Sequence, residues 1–160
     1  MWFFMITCYI MSALSFFMLM LALFQNFFHF MIFHANEVTF MILTSIVYLF
    51  TETLVIFFFV GTGVSVKEYT AEHKLKSDYH KNSLAIKRFV YPPLLLNMLL
   101  MIVLFILIGA VDTGRFPAWI YLIYFLFCIY HLLLAKGIQH RAFKNNTDNI
   151  LAMAGVQKNA

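Results

Sequence analysis

The chain has 160 residues, of which 63% are hydrophobic and only 11% charged, against roughly 25% charged in a soluble domain. So little polar side chain cannot cover a water-soluble globule of this size, and the composition predicts an all-α integral membrane protein. The formal net charge of +4 does not indicate nucleic-acid binding, because topology explains the basic residues and no aromatic-basic face accompanies them.

The first charged residue is Glu37. The start Met1-Trp2-Phe3-Phe4 lacks the positive residue of a secretory signal, and no small-x-small cleavage site follows a short apolar core. A retained first helix over about 2–28 is therefore expected. A hydrocarbon core of ~30 Å needs ~20 helical residues, and three further segments meet that length. After the polar break Ala35-Asn36-Glu37, a second span covers about 38–66, interrupted only by Glu52. A third covers about 93–111, with Pro92 and Pro93 at its entrance, where a missing N–H costs little. The segment Asp112-Thr113-Gly114-Arg115-Phe116-Pro117 carries the breakers of a tight hairpin, and a fourth span follows over about 118–135. Tyr91, Trp119 and Tyr121 lie near segment ends, as interfacial aromatics do. The predicted architecture is a four-transmembrane-helix bundle over 1–136 with a tail over 137–160.

Orientation follows from Lys and Arg. Lys67, Lys74, Lys76, Lys81, Lys87 and Arg88 fall in the 67–89 connection, and Lys136, Arg141, Lys144 and Lys158 in the tail, leaving only Arg115 elsewhere. Four spans put both basic segments on one side, which the positive-inside rule makes the cytoplasm. The expected location is a bacterial inner membrane with both termini cytoplasmic. In the connection, Leu75, Tyr79, Ile86 and Phe89 recur at about helical spacing. That predicts an extended second helix, then a short cytoplasmic amphipathic helix on the membrane surface, its basic residues attracted to anionic lipid or, on the sharper reading, forming a docking surface for a soluble partner. In the tail, Ile150-Leu151-Ala152-Met153 after an Asn-rich stretch predicts one or two helical turns.

Glu52 is the most informative residue. Reckoned from the ends of span 38–66 it lies near the midplane, ~21 Å from each, where an acid marks a functional site by default. No basic residue is expected at its depth. It should then be neutral, donating to Ser12, Ser15 or a backbone carbonyl. Helix-to-helix glue is the bland reading; a proton relay, ion site or ligand contact is the sharper one. Thr7, Thr62, Asn97 and His131 are each expected within ~10 Å of the inner interface, forming an inner-leaflet polar layer where Gly61 and Gly63 admit a close neighbour. That layer reads as packing glue, or as a quinone or haem edge lined by His131.

A bis-histidine haem b needs two imidazoles at matching depth. Only His131 lies well inside a span; His73 and His80 reach it only if the connection folds back. On the outer face, His29, His34, Glu37 and Asp112 are weak candidates for a copper or zinc ion, although the five-residue spacing of His29 and His34 does not align them. No metal and no cofactor is predicted. Cys8 and Cys128 fall in apolar segments and read as small hydrophobes. Ser12, Ser15 and Ser45 lack a nearby histidine for a catalytic triad, and Gly61-Thr62-Gly63 lacks the Lys-Ser/Thr and the strand of a phosphate loop.

The run Gly61-Thr62-Gly63-Val64-Ser65-Val66-Lys67-Glu68, with Asp112-Thr113-Gly114 and Pro117-Ala118-Trp119, resembles small bacterial membrane proteins of unassigned function. The resemblance covers the last three spans and implies no activity and no site residues. The leading functional expectation is a non-catalytic accessory subunit of a larger membrane complex, its partners being the bilayer and other membrane subunits or further copies of itself. The alternatives are a haem- or quinone-associated electron-transfer subunit and a proton- or ion-conducting protein centred on Glu52.

Overall fold

A computed structural model describes residues 2–32, 34–75 and 77–155; Lys76 and Lys158, counted among the basic residues above, lie outside them. Four helices follow one another: α1 (Trp2–Phe28), α2 (Glu37–Glu72), α3 (Asp78–Asp112) and α4 (Ala118–Met153). All four are long and apolar enough to cross a membrane. In hydrocarbon a backbone must satisfy its own polar groups, and a helix does so within one segment.

Local chemistry sets the boundaries. Asn36 caps α2, its Oδ1 accepting from the Thr39 N–H at 2.8 Å, and Glu37 in the first turn complements the positive end of the helix dipole. The α1–α2 connection is tied by Gln25, whose Nε2 donates to the Ala35 carbonyl at 2.9 Å. Between α3 and α4, Gly114 takes φ +69°, a conformation open to Gly at little cost. The Arg115 N–H there closes back on the Ala110 carbonyl at 2.9 Å.

α1 packs on α2, α2 on α3 and α3 on α4, while α1 and α4 meet more sparsely than these three pairs. The bundle thus has a hairpin end, holding the α1–α2 and α3–α4 connections, and a basic end, holding the α2–α3 connection and the end of α4. Two apolar clusters fill it. Toward the hairpin end, Leu19, Met41, Tyr48, Leu104, Tyr121 and Phe125 pack together. Toward the basic end, Cys8, Val55, Phe59, Leu94 and Phe143 do so, with Phe59 stacked on Phe143 at 5.2 Å and Phe58 edge-on to it at 5.0 Å.

Two expectations are corrected. The first concerns the α2–α3 connection. α2 does extend past Val66, to Glu72, but no separate surface helix follows it among the described residues. Residues 78–92 are the start of α3, and Pro92 and Pro93 lie inside that helix. Each proline removes one i→i−4 donor, so tertiary packing must hold this stretch helical. Ser83 and Val90 are buried, and Asn149 Nδ2 donates to the Tyr79 carbonyl at 3.0 Å. The second concerns the tail. Residues 137–153 continue α4 without a break, because Gln139, Ala142, Phe143, Asn146 and Asn149 form a buried face at helical spacing.

Candidate functional site: the Glu52–Lys136 layer

α2 and α4 both begin at the hairpin end. Glu52 lies ~22 Å along α2 from Glu37, and Lys136 ~27 Å along α4 from Ala118. Helical side chains lean toward the N-terminus, so the long Lys136 chain leans across that small offset toward Glu52. The Lys136 ammonium donates to Glu52 Oε1 at 2.8 Å, to Gln139 Oε1 at 2.8 Å and to Ser12 Oγ at 3.2 Å. All three of its N–H bonds are thereby used. Glu52 is fully buried and the Lys136 side chain only 20% exposed.

The network spreads over three helices. Gln139 Nε2 donates to Ser12 Oγ at 3.4 Å. One turn along α1, Ser15 bonds Thr51 at 2.7 Å, and the Thr51 hydroxyl donates to its own helix at the Val47 carbonyl, 2.8 Å away. Further toward the basic end, Tyr9 Oη and His140 Nδ1 bond at 2.8 Å. Polar side chains therefore stitch α1 to α4 along a seam where their backbones approach sparsely. Glu52 Oε2 is enclosed with no hydrogen-bond partner among the described residues.

This corrects the expectation that no base reaches Glu52. The carboxyl sits in an ion pair, and Ser12 reaches it only through Lys136, while Ser15 bonds Thr51 instead. The segment 38–66 is longer than a bilayer requires, so its two ends do not bracket the midplane. Measured from the hairpin end, which α2 and α4 share, Lys136 falls at almost the same level.

The inner polar layer also separates. Asn97 Oδ1 and His131 Nδ1 do bond each other. But His131 lies ~7 Å from Lys136 toward the hairpin end, whereas Thr62 lies ~15 Å from Glu52 toward the basic end. Thr62 donates to the Phe58 carbonyl at 2.9 Å and Thr7 to the Phe3 carbonyl at 3.0 Å, each within its own helix. The four residues thus form one pair and two isolated hydroxyls. Of the two glycines, Gly61 faces open space, whereas a Cβ on Gly63 would overlap the end of the Lys87 side chain and come within 3.2 Å of Ser83 Oγ.

At the hairpin end, His29 Nδ1 meets Glu37 Oε1 at 2.5 Å. Both, with Gln25 and Asp112, border a cavity of ≈ 220 Å³ that His34 does not line. Among the described residues no three His, Cys, Asp or Glu side chains are grouped to hold a metal ion. Cys8 and Cys128 are free and buried.

Reading from residue types missed Lys136, Gln139, Tyr9 and His140. The available signal was the pattern Leu132, Ala135, Gln139, Ala142, which continues one helical face past the first basic residue of the tail. Compared with known protein families, curated proteins and solved structures, the chain matches none of them.

Proposed function

We propose that this chain is a small polytopic membrane protein serving as a non-catalytic accessory subunit of a larger membrane assembly, with its basic end on the cytoplasmic side of a bacterial inner membrane. The observation that carries this reading is how the interior polar groups are used. Lys136 is committed to Glu52, Gln139 and Ser12, Thr51 to Ser15 and His131 to Asn97. These groups join helices, and none borders the cavities at either end of the bundle. The outward faces carry large apolar side chains such as Phe3, Phe17, Phe57, Trp119 and Phe127, suited to lipid or to partner helices. The orientation follows from the basic residues.

Purification in mild detergent tests the reading. A defined set of co-purifying membrane proteins is expected. A lone monomer, with every membrane complex intact after deletion of the gene, would overturn it. Cysteines introduced at Ser77 and Thr147 should label from one side of the membrane and one at Thr113 from the other.

A second reading, proton or ion conduction centred on Glu52, draws on one observation: Glu52 Oε2 is enclosed with no hydrogen-bond partner within ordinary distance among the described residues. Glu52→Gln should then abolish flux in reconstituted vesicles, and unchanged flux removes this reading. The haem or quinone reading draws less support. Asn97 occupies His131 Nδ1, and His140 is on the same helix, ~13 Å further along. An absorption spectrum of the purified protein, with or without a Soret band, decides it.

A further inference from the structure

We propose that the cavity between the end of α2 and the start of α3 binds a phosphate group. The cavity measures ≈ 360 Å³, and its polar lining comes from Lys67, Thr70, Lys74, Ser77 and His80. On α2, Lys67 and Thr70 are three residues apart and so share one face, and Lys74, just past the end of α2, lines the same cavity. Glu68 and Glu72 are turned ~100° and ~140° from Lys67 at 3.6 residues per turn, and neither lines the cavity. Asp78, at the start of α3, pairs with Lys81 at 3.7 Å.

The Thr70 hydroxyl donates to the Val66 carbonyl of its own helix at 2.6 Å, but the other donors around the cavity are free of such bonds. Among the described residues neither Lys67 nor Lys74 has an ion-pair partner. The Ser77 hydroxyl makes no capping bond to α3. His80 Nδ1 is enclosed and has no hydrogen-bond partner among the described residues. The first N–H groups of α3 also open at this point, since a helix start leaves them without carbonyl partners. Lys74 takes φ +50°, so the chain turns back here and brings the end of α2 over the start of α3. Two ammonium groups, a hydroxyl, a ring nitrogen and a helix N-terminus thus border one space, with no acidic side chain in its lining. Phosphate oxygens carry the charge and the acceptors that this set lacks.

The same chemistry serves an anionic lipid headgroup and inorganic phosphate. The lipid source rests on the membrane reading given above; the phosphate source does not. Two measurements on the full chain separate them. In the first, the protein is recovered from vesicles of mixed phosphatidylglycerol and phosphatidylcholine, and its retained lipid is measured by native mass spectrometry. In the second, thermal unfolding in neutral detergent is compared in phosphate and in chloride at equal ionic strength.

Wild-type protein is expected to retain phosphatidylglycerol over phosphatidylcholine, and Lys67→Gln/Lys74→Gln to retain at least tenfold less. Both lysines are exposed, so the double variant keeps its fold. Lys81→Gln, outside the cavity, should bind like wild type. Stabilisation by phosphate that the double variant loses, without lipid discrimination, supports the site and names free phosphate as its source. A chain that is not embedded in lipid retains no lipid in any variant yet still responds to phosphate, which separates failure of the membrane reading from failure of the site. If neither measurement distinguishes the double variant from wild type, the site is overturned. It is also overturned if Lys81→Gln loses as much as the double variant, since binding is then diffuse attraction to a basic surface.

Discussion

The Lys136 ammonium on α4 lies 2.8 Å from the Glu52 carboxylate on α2, with the carboxylate fully buried. A pair of this kind contributes little net stability relative to apolar residues of the same size, but removing one partner strands the other at a cost of about 3–5 kcal/mol. Lys136→Met and Glu52→Leu should each destabilise the protein on that scale. Glu52→Leu/Lys136→Met should lose less than either single variant. Unfolding in detergent across this double-mutant cycle gives the coupling directly. Additive losses would show that the two groups do not depend on each other.

The two glycines of the Gly61-Thr62-Gly63 run should respond differently to alanine. A helical Gly→Ala change gains about 0.5–1 kcal/mol where nothing stands in the way of the methyl group. At Gly61 nothing lies within reach of a Cβ, whereas at Gly63 the end of the Lys87 side chain occupies that space. Gly61→Ala should therefore stabilise by the full amount and Gly63→Ala by less. Shortening Lys87 to Ala should remove the difference. Equal gains in the wild-type background would show that Lys87 does not occupy the notch.

The elements that sequence reading recovered are those whose signal is bulk hydrophobicity. The four apolar segments, the Asn36 break and the Gly114 turn are where the sequence puts them. Its errors came from treating polar residues as boundaries. Lys136 looked like the end of a span because it begins a basic segment, yet the buried face through Ala135, Gln139 and Ala142 continues beyond it. Pro92 and Pro93 looked like a helix start because proline is cheapest there, yet contacts of Ser83, Val90 and Tyr79 keep residues 78–92 in the same helix. Pairing between distant residues was less legible still. Nothing local to Glu52 names Lys136 as its partner. That follows only from the common end at which α2 and α4 begin, and from the direction in which a lysine on a helix leans.

Phe143 tests whether the end of α4 belongs to the core. It is 1% exposed and its ring contacts those of Tyr9, Phe58 and Phe59 at 5.0–5.2 Å, so three helices meet on one side chain past the last span predicted from hydrophobicity. Truncating a buried Phe to Ala typically costs about 3–5 kcal/mol, and Phe143→Ala should fall in that range. Phe57, on the same stretch of α2 but 61% exposed, should lose under about 0.5 kcal/mol on the same change, as surface substitutions do. Unfolding of both variants in one detergent supplies the comparison. Similar small losses at the two sites would mean that residues beyond Lys136 hang free of the bundle. A large loss at Phe143 alone requires the basic end to be as tightly assembled as the membrane-length part. In that case the Glu52–Lys136 pair lies between two packed cores, not at the edge of one.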